Sequence, residues 1–203
     1  MKTYILGLTG PTGSGKGVAA EILKEKGFLV VDADAVYHQL LKKGKSCCEA
    51  VRLLFGDEVL NESGAVDTKK LRGVIGRDKM RMELLNNTVH PIIVDNIAAR
   101  IRRAARKGQK LFVIDGPLLF ESGGNRTCNA VMCVLADKKV RIERIMQRDN
   151  LTEEQAQTRV SFQQTDDYYL KRSNFAVYNN GDKTSLKKQI DDLGAFWLPG
   201  GKE

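Results

Sequence analysis

"GPTGSGKG", residues 10–17, follows the short apolar run "YILGLT" (4–9) and leads into "VAAEILKEKG" (18–27), which has helical spacing and a glycine stop. A strand, a glycine-rich turn and a helix in that order give the phosphate-loop spacing G-x-x-x-x-G-K its mechanism. Gly10, Gly13 and Gly15, with Pro11, Thr12 and Ser14 between them, let the backbone curl so that its N–H groups converge on phosphate oxygens. A helix beginning near Lys16 adds its positive end, and the Lys16 ammonium can reach the outer phosphates of a bound nucleotide. One position departs from the pattern. Gly17 stands where a serine or threonine hydroxyl would hold a magnesium ion.

Outward from the loop, strands and helices alternate. "FLVVDAD" (28–34) reads as a second buried strand ending in two aspartates. Residues 35–107 read as mostly helical, with a turn-rich break at "FGDEVLNESGAVD" and a last helix starting at Pro91, a favoured first helical position. Ile93, Ile97, Ile101 and Ala104 form that helix's apolar stripe. "KLFVID" (110–115) and "AVMCVLAD" (130–137) are further strands, the second followed by the helix "KKVRIERIMQRD"; "NFAVYN" (174–179) is a last short strand before a closing helix over 182–196. Short apolar strands separated by helices predict one α/β domain over 1–203, built on a parallel sheet.

The chain has 203 residues, 42% of them hydrophobic, enough for one good core, and a net charge of +8 that suits polyanionic ligands such as nucleotides or nucleic acid. The basic run "RIRRAARKGQK" (100–110) lacks interleaved aromatics and falls at a helix C-terminus, which favours a solvated face over a nucleic-acid surface. The four cysteines have neither disulfide-framework nor zinc-site spacing and read as free thiols. With no transmembrane-length apolar stretch and an opening segment too short for a secretory signal, the expected location is the cytoplasm, without membrane attachment.

Several residues carry chemistry by type and place. Asp32 and Asp34 lie at the carboxyl end of the second strand, where open α/β sheets bind ligands; Asp34 can take a proton from an acceptor hydroxyl, or cap the following helix. Asp115 ends "LFVID", the form of a strand whose aspartate holds magnesium directly or through water. Because Mg²⁺ keeps several waters and takes few protein ligands, Asp115, Asp34 and the phosphates can retain it without the loop hydroxyl. Beyond Asp115, Leu118, Leu119 and Phe120 either line an acceptor pocket or pack in the core, and Glu121 contacts substrate or pairs with a basic group. Arg141, Arg144 and Arg148 fall on one side of their helix, either as charge for a transferring phosphoryl group or as a solvated face. Asn179 and Asn180, in "VYNNG", are nucleotide contacts or a plain turn.

Taken in order, "GLTGPTGSGKG", "VVDADAVYHQLL", "NNTVHPII", "IDGPLLFESG", "RIERIMQRDNLTEEQAQTRVSFQ" and "FAVYNNG" resemble the dephospho-coenzyme A kinase family, a P-loop group related to nucleoside-monophosphate kinases, over residues 4 to 192. The resemblance implies a five-stranded parallel sheet between helical layers, a helical substrate region (about 35–107) and a mobile lid (about 148–172). It also implies transfer of the ATP γ-phosphate to the 3′-hydroxyl of dephospho-CoA with Mg²⁺, and no nucleic-acid partner. It makes Asp34 the catalytic base, Arg144 and Arg148 the pair at the base of the lid, and His90 a substrate-side residue, while Arg159 and Gln163 match its lid pattern without a role. A monomer or weak homo-oligomer is expected. The competing readings are a kinase of another nucleotide or small hydroxyl acceptor, and a degenerate nucleotide-binding protein disabled at Gly17.

Overall fold

The computed structural model describes residues 3–197, with the side chains of 195–197 outside that description. Five strands form one parallel sheet: β1 (Tyr4–Thr9), β2 (Leu29–Asp32), β3 (Leu111–Asp115), β4 (Ala130–Leu135) and β5 (Phe175–Tyr178), in the order β2-β3-β1-β4-β5. β1 is therefore central. It pairs with β3 from Tyr4↔Leu111 to Leu8↔Asp115 and with β4 from Leu6↔Ala130 to Thr9↔Cys133. The chain divides into two compact units, Met1–Val30 with Gly108–Glu203, and Val31–Lys107.

In the first unit the alternation of side chains along the strands builds the core. Leu6 and Leu8 of β1, Val113 of β3, Met132 and Val134 of β4 and Val177 of β5 cluster with Ile22 and Leu23 of α1 (Lys16–Glu25) and Leu186 and Ile190 of α9 (Lys183–Trp197). On the other face Cys133 and Leu135 meet Phe120 and the tyrosines Tyr168 and Tyr169 of α8 (Asp166–Leu170). Helices on both faces explain why β4 is buried at every position, since neither of its faces meets water. α6 (Lys138–Asp149) and α7 (Glu153–Ser161) share a smaller core of Ile142, Ile145, Ala156 and Val160. Full burial of Ile145 alone is worth roughly 2–3 kcal/mol. A capping box, in which Thr152 and Gln155 each bond the other's backbone N–H, starts α7.

The second unit holds four helices, α2 (Ala33–Leu40), α3 (Ser46–Phe55), α4 (Thr68–Ile75) and α5 (Lys79–Arg106). Aspartates start three of them: Asp32 accepts from Ala35 N, Asp67 from Lys69 N and Lys70 N, and Asp78 from Met80 N and Arg81 N. Such caps stabilise by about 1 kcal/mol each. The turn-rich break contains a single 3₁₀ turn (Asp57–Val59) and a Leu60↔Val66 bridge, organised by Asn61, whose Oδ1 accepts from Ser63 N and Ala65 N.

Two expectations are corrected here. The last helix of this unit does not begin at Pro91: it begins at Lys79 and passes through the proline. Pro91 removes the N–H that the carbonyl of Asn87 would accept, but Asn87 is exposed, where water can serve that carbonyl, and the burial of Leu85, Val89, Ile97 and Ile101 spans the break. The second strand ends at Asp32, because it is Asp32, not Asp34, that caps α2. The four cysteines are free, as expected.

Candidate active site

β1 runs directly into the loop, and packing fixes the loop's course. A Cβ on Gly10 would stand 2.2 Å from the carbonyl oxygen of Val134 in β4, so only glycine lets the two backbones pass. Gly15 has φ 90° and caps α1 in the left-handed region, with the Asn179 amide 2.0 Å from where its Cβ would be. Gly17 is the opposite case, since no atom lies within 4 Å of an added Cβ. The missing hydroxyl is therefore not excluded by crowding.

The carbonyls of the loop are held outward by other parts of the first unit. Arg141 Nε donates to Thr12 O at 3.0 Å, Arg144 Nη1 to Gly13 O at 3.3 Å, and Asn179 Nδ2 to Ser14 O at 2.8 Å. Pro11 O accepts from Ser14 N, and Gly15 O from Val18 N and Ala19 N. Among the described residues, no hydrogen bond engages the N–H groups of Gly13, Gly15, Lys16 or Gly17. A run of uncommitted amides at the start of a ten-residue helix, beside Lys16, is an anion cradle.

α6 supplies the arginines. Arg141 is buried, not solvated: its side chain is 6% exposed, with Asp166 3.8 Å away and Nη2 without a partner. Burial lowers its pKa and Asp166 opposes that, but a guanidinium remains charged in either case. Arg144 is half-buried against the loop. Arg148 is exposed; it binds Asp149 through two bonds of 2.8 Å and reaches Thr12 Oγ1 at 3.5 Å. Arg159 of α7 joins the same Asp149 at 2.5 Å. The hydrogen bond from Arg148, reinforced by Arg159, holds the Asp149 carboxyl below its ordinary range. The N–H of Thr12 donates to Gln163 Oε1 at 2.6 Å.

β3 ends beside the loop entrance. Asp115 is paired in register with Leu8 and is half-buried, and the next residue, Gly116, donates to Leu8 O. Leu118 is 50% exposed and Leu119 3%, so the pair divides between surface and core, Leu119 packing against Gly7 of β1. Glu121 is exposed and bonds the Tyr168 hydroxyl; burial, then that bond, raises the tyrosine pKa. Asn179 is buried and serves the loop backbone, while Asn180 Oδ1 accepts from Asp137 N at 2.7 Å ahead of α6. In the second unit Asp32 and Asp34 are exposed at the head of α2, and His90 is half-buried in α5 between Val89 and Pro91.

Sequence reasoning passed over Arg141 and Gln163 as holders of the loop; Ser14, which it placed within the loop, is fully buried with an unpartnered Oγ. The spacing of 141, 144 and 148 shows that the three arginines share a side, but not that this side faces the loop.

The likeness to known proteins spans the whole architecture. The family model for dephospho-CoA kinase matches residues 4–185. A dephospho-CoA kinase of Lactobacillus johnsonii is 37% identical over 191 residues, covering 94% of this chain and 96% of its own. One from Fusobacterium nucleatum is 33% identical, covering 94% and 97%. Among solved structures, the dephospho-CoA kinase from Campylobacter jejuni superposes with a TM-score of 0.68 at 25% identity, covering 95% of this chain and 96% of that one. A phosphate loop clamped from behind, on a parallel sheet of this order and with matches at this extent, leaves one assignment: the chain belongs to the dephospho-CoA kinase family.

Proposed function

We propose that the protein transfers the γ-phosphoryl group of ATP to the 3′-hydroxyl of dephospho-CoA, forming coenzyme A and ADP, the last step of coenzyme A synthesis. The single observation that carries the reading is the loop whose carbonyls are tied back by Arg141, Arg144 and Asn179 while its amides stay uncommitted beside Lys16. In the transfer, the acceptor O–H bond breaks as its oxygen bonds to the γ-phosphorus, and the bridge to ADP breaks. Asp34 takes the proton, Lys16 offsets charge on the outer phosphates, and Arg144 and Arg148 offset it on the transferring group. The acceptor meets Leu118, the exposed member of its pair, with Glu121 and His90 as further contacts. The segment over 148–172 acts as a lid that excludes water, and residues 35–107 as the substrate-binding region of a single kinase domain.

Among the described residues, no group of three or more acidic, histidine or cysteine side chains could cage a metal. Mg²⁺ itself keeps several waters and takes one or two carboxylates along with substrate phosphates. Asp115, at the strand end beside the loop, and Asp34 are the candidate carboxylates, acting through water. When bound, the ion neutralises phosphate charge. We place the protein in the cytoplasm as a monomer or weak homo-oligomer without nucleic-acid or membrane partners; among the described residues no helix is long and apolar enough to cross a membrane.

The test is ADP release with ATP and Mg²⁺ in the presence of dephospho-CoA, of nucleoside monophosphates, or of no acceptor, with the product identified by mass. Turnover confined to dephospho-CoA supports the reading. ATP binding without turnover on any acceptor overturns it in favour of a degenerate loop.

A further inference from the structure

We infer that Gln163 is a positioning residue for phosphoryl transfer, docking the connection between α7 and α8 onto the backbone of Thr12 and thereby fixing the rim of the phosphate loop. The inference rests on the kinase reading above. Thr12 is, among the described residues, the one loop position whose N–H, carbonyl and hydroxyl are all taken by side chains from elsewhere. Gln163 Oε1 accepts from its N–H at 2.6 Å, Arg141 Nε donates to its carbonyl at 3.0 Å, and Arg148 Nη2 to its Oγ1 at 3.5 Å.

Gln163 is itself well anchored. Its N–H closes the last turn of α7 on Val160 O at 3.1 Å, and Val160 belongs to the small core that α7 shares with α6. Two residues later Thr165 caps α8, Asp166 faces Arg141, and Tyr168 bonds Glu121 in the segment beyond β3. A displacement of this connection is therefore felt by the loop, by the arginines of α6 and by the residues after Asp115 together.

The amide chemistry suits the place. A glutamine carbonyl accepts from the Thr12 amide without bringing negative charge to the edge of a polyphosphate site, whereas a glutamate would accept the same bond and repel the phosphates. The two functions of the side chain, acceptor and neutral group, can thus be separated by substitution.

Gln163→Met keeps the length and removes the acceptor. It is expected to lower kcat on the order of tenfold, as small misplacements of reacting groups do, with the KM for ATP changed by less than about threefold. It should also raise the share of ADP released without acceptor, a leak that a merely structural role would not move. Gln163→Glu is expected to keep kcat within about threefold and raise the KM for ATP roughly tenfold through charge repulsion. Gln147→Met, at an exposed position of α6 outside the lid segment, is the control and should match the parent. Hydrogen exchange at the Thr12 amide gives a readout that needs no turnover, expected to be about tenfold faster in Gln163→Met for the loss of one bond. Should dephospho-CoA prove not to be the acceptor, that exchange and the acceptor-free leak still decide the role of Gln163. Equal kcat and leak in Gln163→Met and Gln147→Met, or an unchanged Thr12 exchange rate, would overturn the assignment.

Discussion

Replacing Gly17 by serine restores the hydroxyl that the loop lacks, and the structure allows its effect to be worked out in two parts. The first is stability. Gly17 is the second residue of α1, and its Cβ would meet nothing within 4 Å, so serine enters without strain. Glycine is about 1 kcal/mol worse than alanine within a helix and serine about half that, so the substitution should stabilise by about 0.5 kcal/mol. For a chain of this size the gain is a rise in Tm of roughly 1–2 °C. The second part concerns the metal. One more hydrogen-bonding or ligating oxygen toward a charged group is worth about 1.5–3 kcal/mol when well placed. Discounted for the exposure of this position, we expect the Mg²⁺ concentration for half-maximal rate to fall about tenfold. The assay is a magnesium titration of CoA formation at saturating ATP, paired with a thermal melt and run beside Gly17→Ala. The alanine variant should melt at least as high as the serine variant and leave the magnesium requirement unchanged. A serine variant that melts higher yet needs as much magnesium would refute the reasoning about the metal. One that melts several degrees lower would refute the reading of open space at this position.

Three further outcomes are expected. Asp34→Asn should reduce kcat by about 10²–10⁴ while leaving ATP binding intact, as loss of a general base does; a loss under tenfold in rapid-quench measurements would remove Asp34 from that role. Asn179→Asp replaces the donor on Ser14 O by a carboxylate, and calorimetric ATP affinity should fall about tenfold through a loop carbonyl left without its bond; unchanged affinity would mean that the loop holds its shape without Asn179. Burial pushes the Cys47 thiol up to about 11 and the Cys128 thiol up to about 12. Because these folded values lie above the unfolded one, their contribution to stability is complete below about pH 8.5 and is lost as pH climbs through 11–12. Urea midpoints should decline from about pH 8.5 upward. Native-state alkylation of both thiols at pH 8 should be far slower than in urea, and equal rates would contradict the burial.

Much of this was legible from the chain because it depends on neighbours in sequence. β1, the loop and α1 are set by apolar runs, glycines and a lysine within 25 residues, and α6 appears over the residues its periodicity marks out. The family order supplied the rest of the architecture. Pro91 misled because a proline suits a first helical turn, and the weaker signal thirteen residues earlier, Asp78 ahead of "KMRMELL", carried the true start. The second strand ran short because Asp32 ended it by turning its side chain to Ala35 N. The support of the loop lay beyond reach altogether. Arg141, Arg144 and Asn179 meet it across 129, 131 and 165 residues, by side-chain-to-carbonyl bonds that leave no periodic trace.

Those separations bear on how the protein comes into being. The loop leaves the ribosome well before its support, since the side chain that fixes Ser14 O is added 165 residues later. At ordinary elongation rates that is a wait of roughly 10–30 s. Throughout it, residues 10–17 have the composition of a nucleotide site without the geometry of one, since neither β4, which forces Gly10, nor Asn179 is yet in place. Nucleotide in the cell can stabilise the finished protein by mass action, but it has nothing to grip on the nascent chain. The loop is made ahead of its supports and is complete only with them.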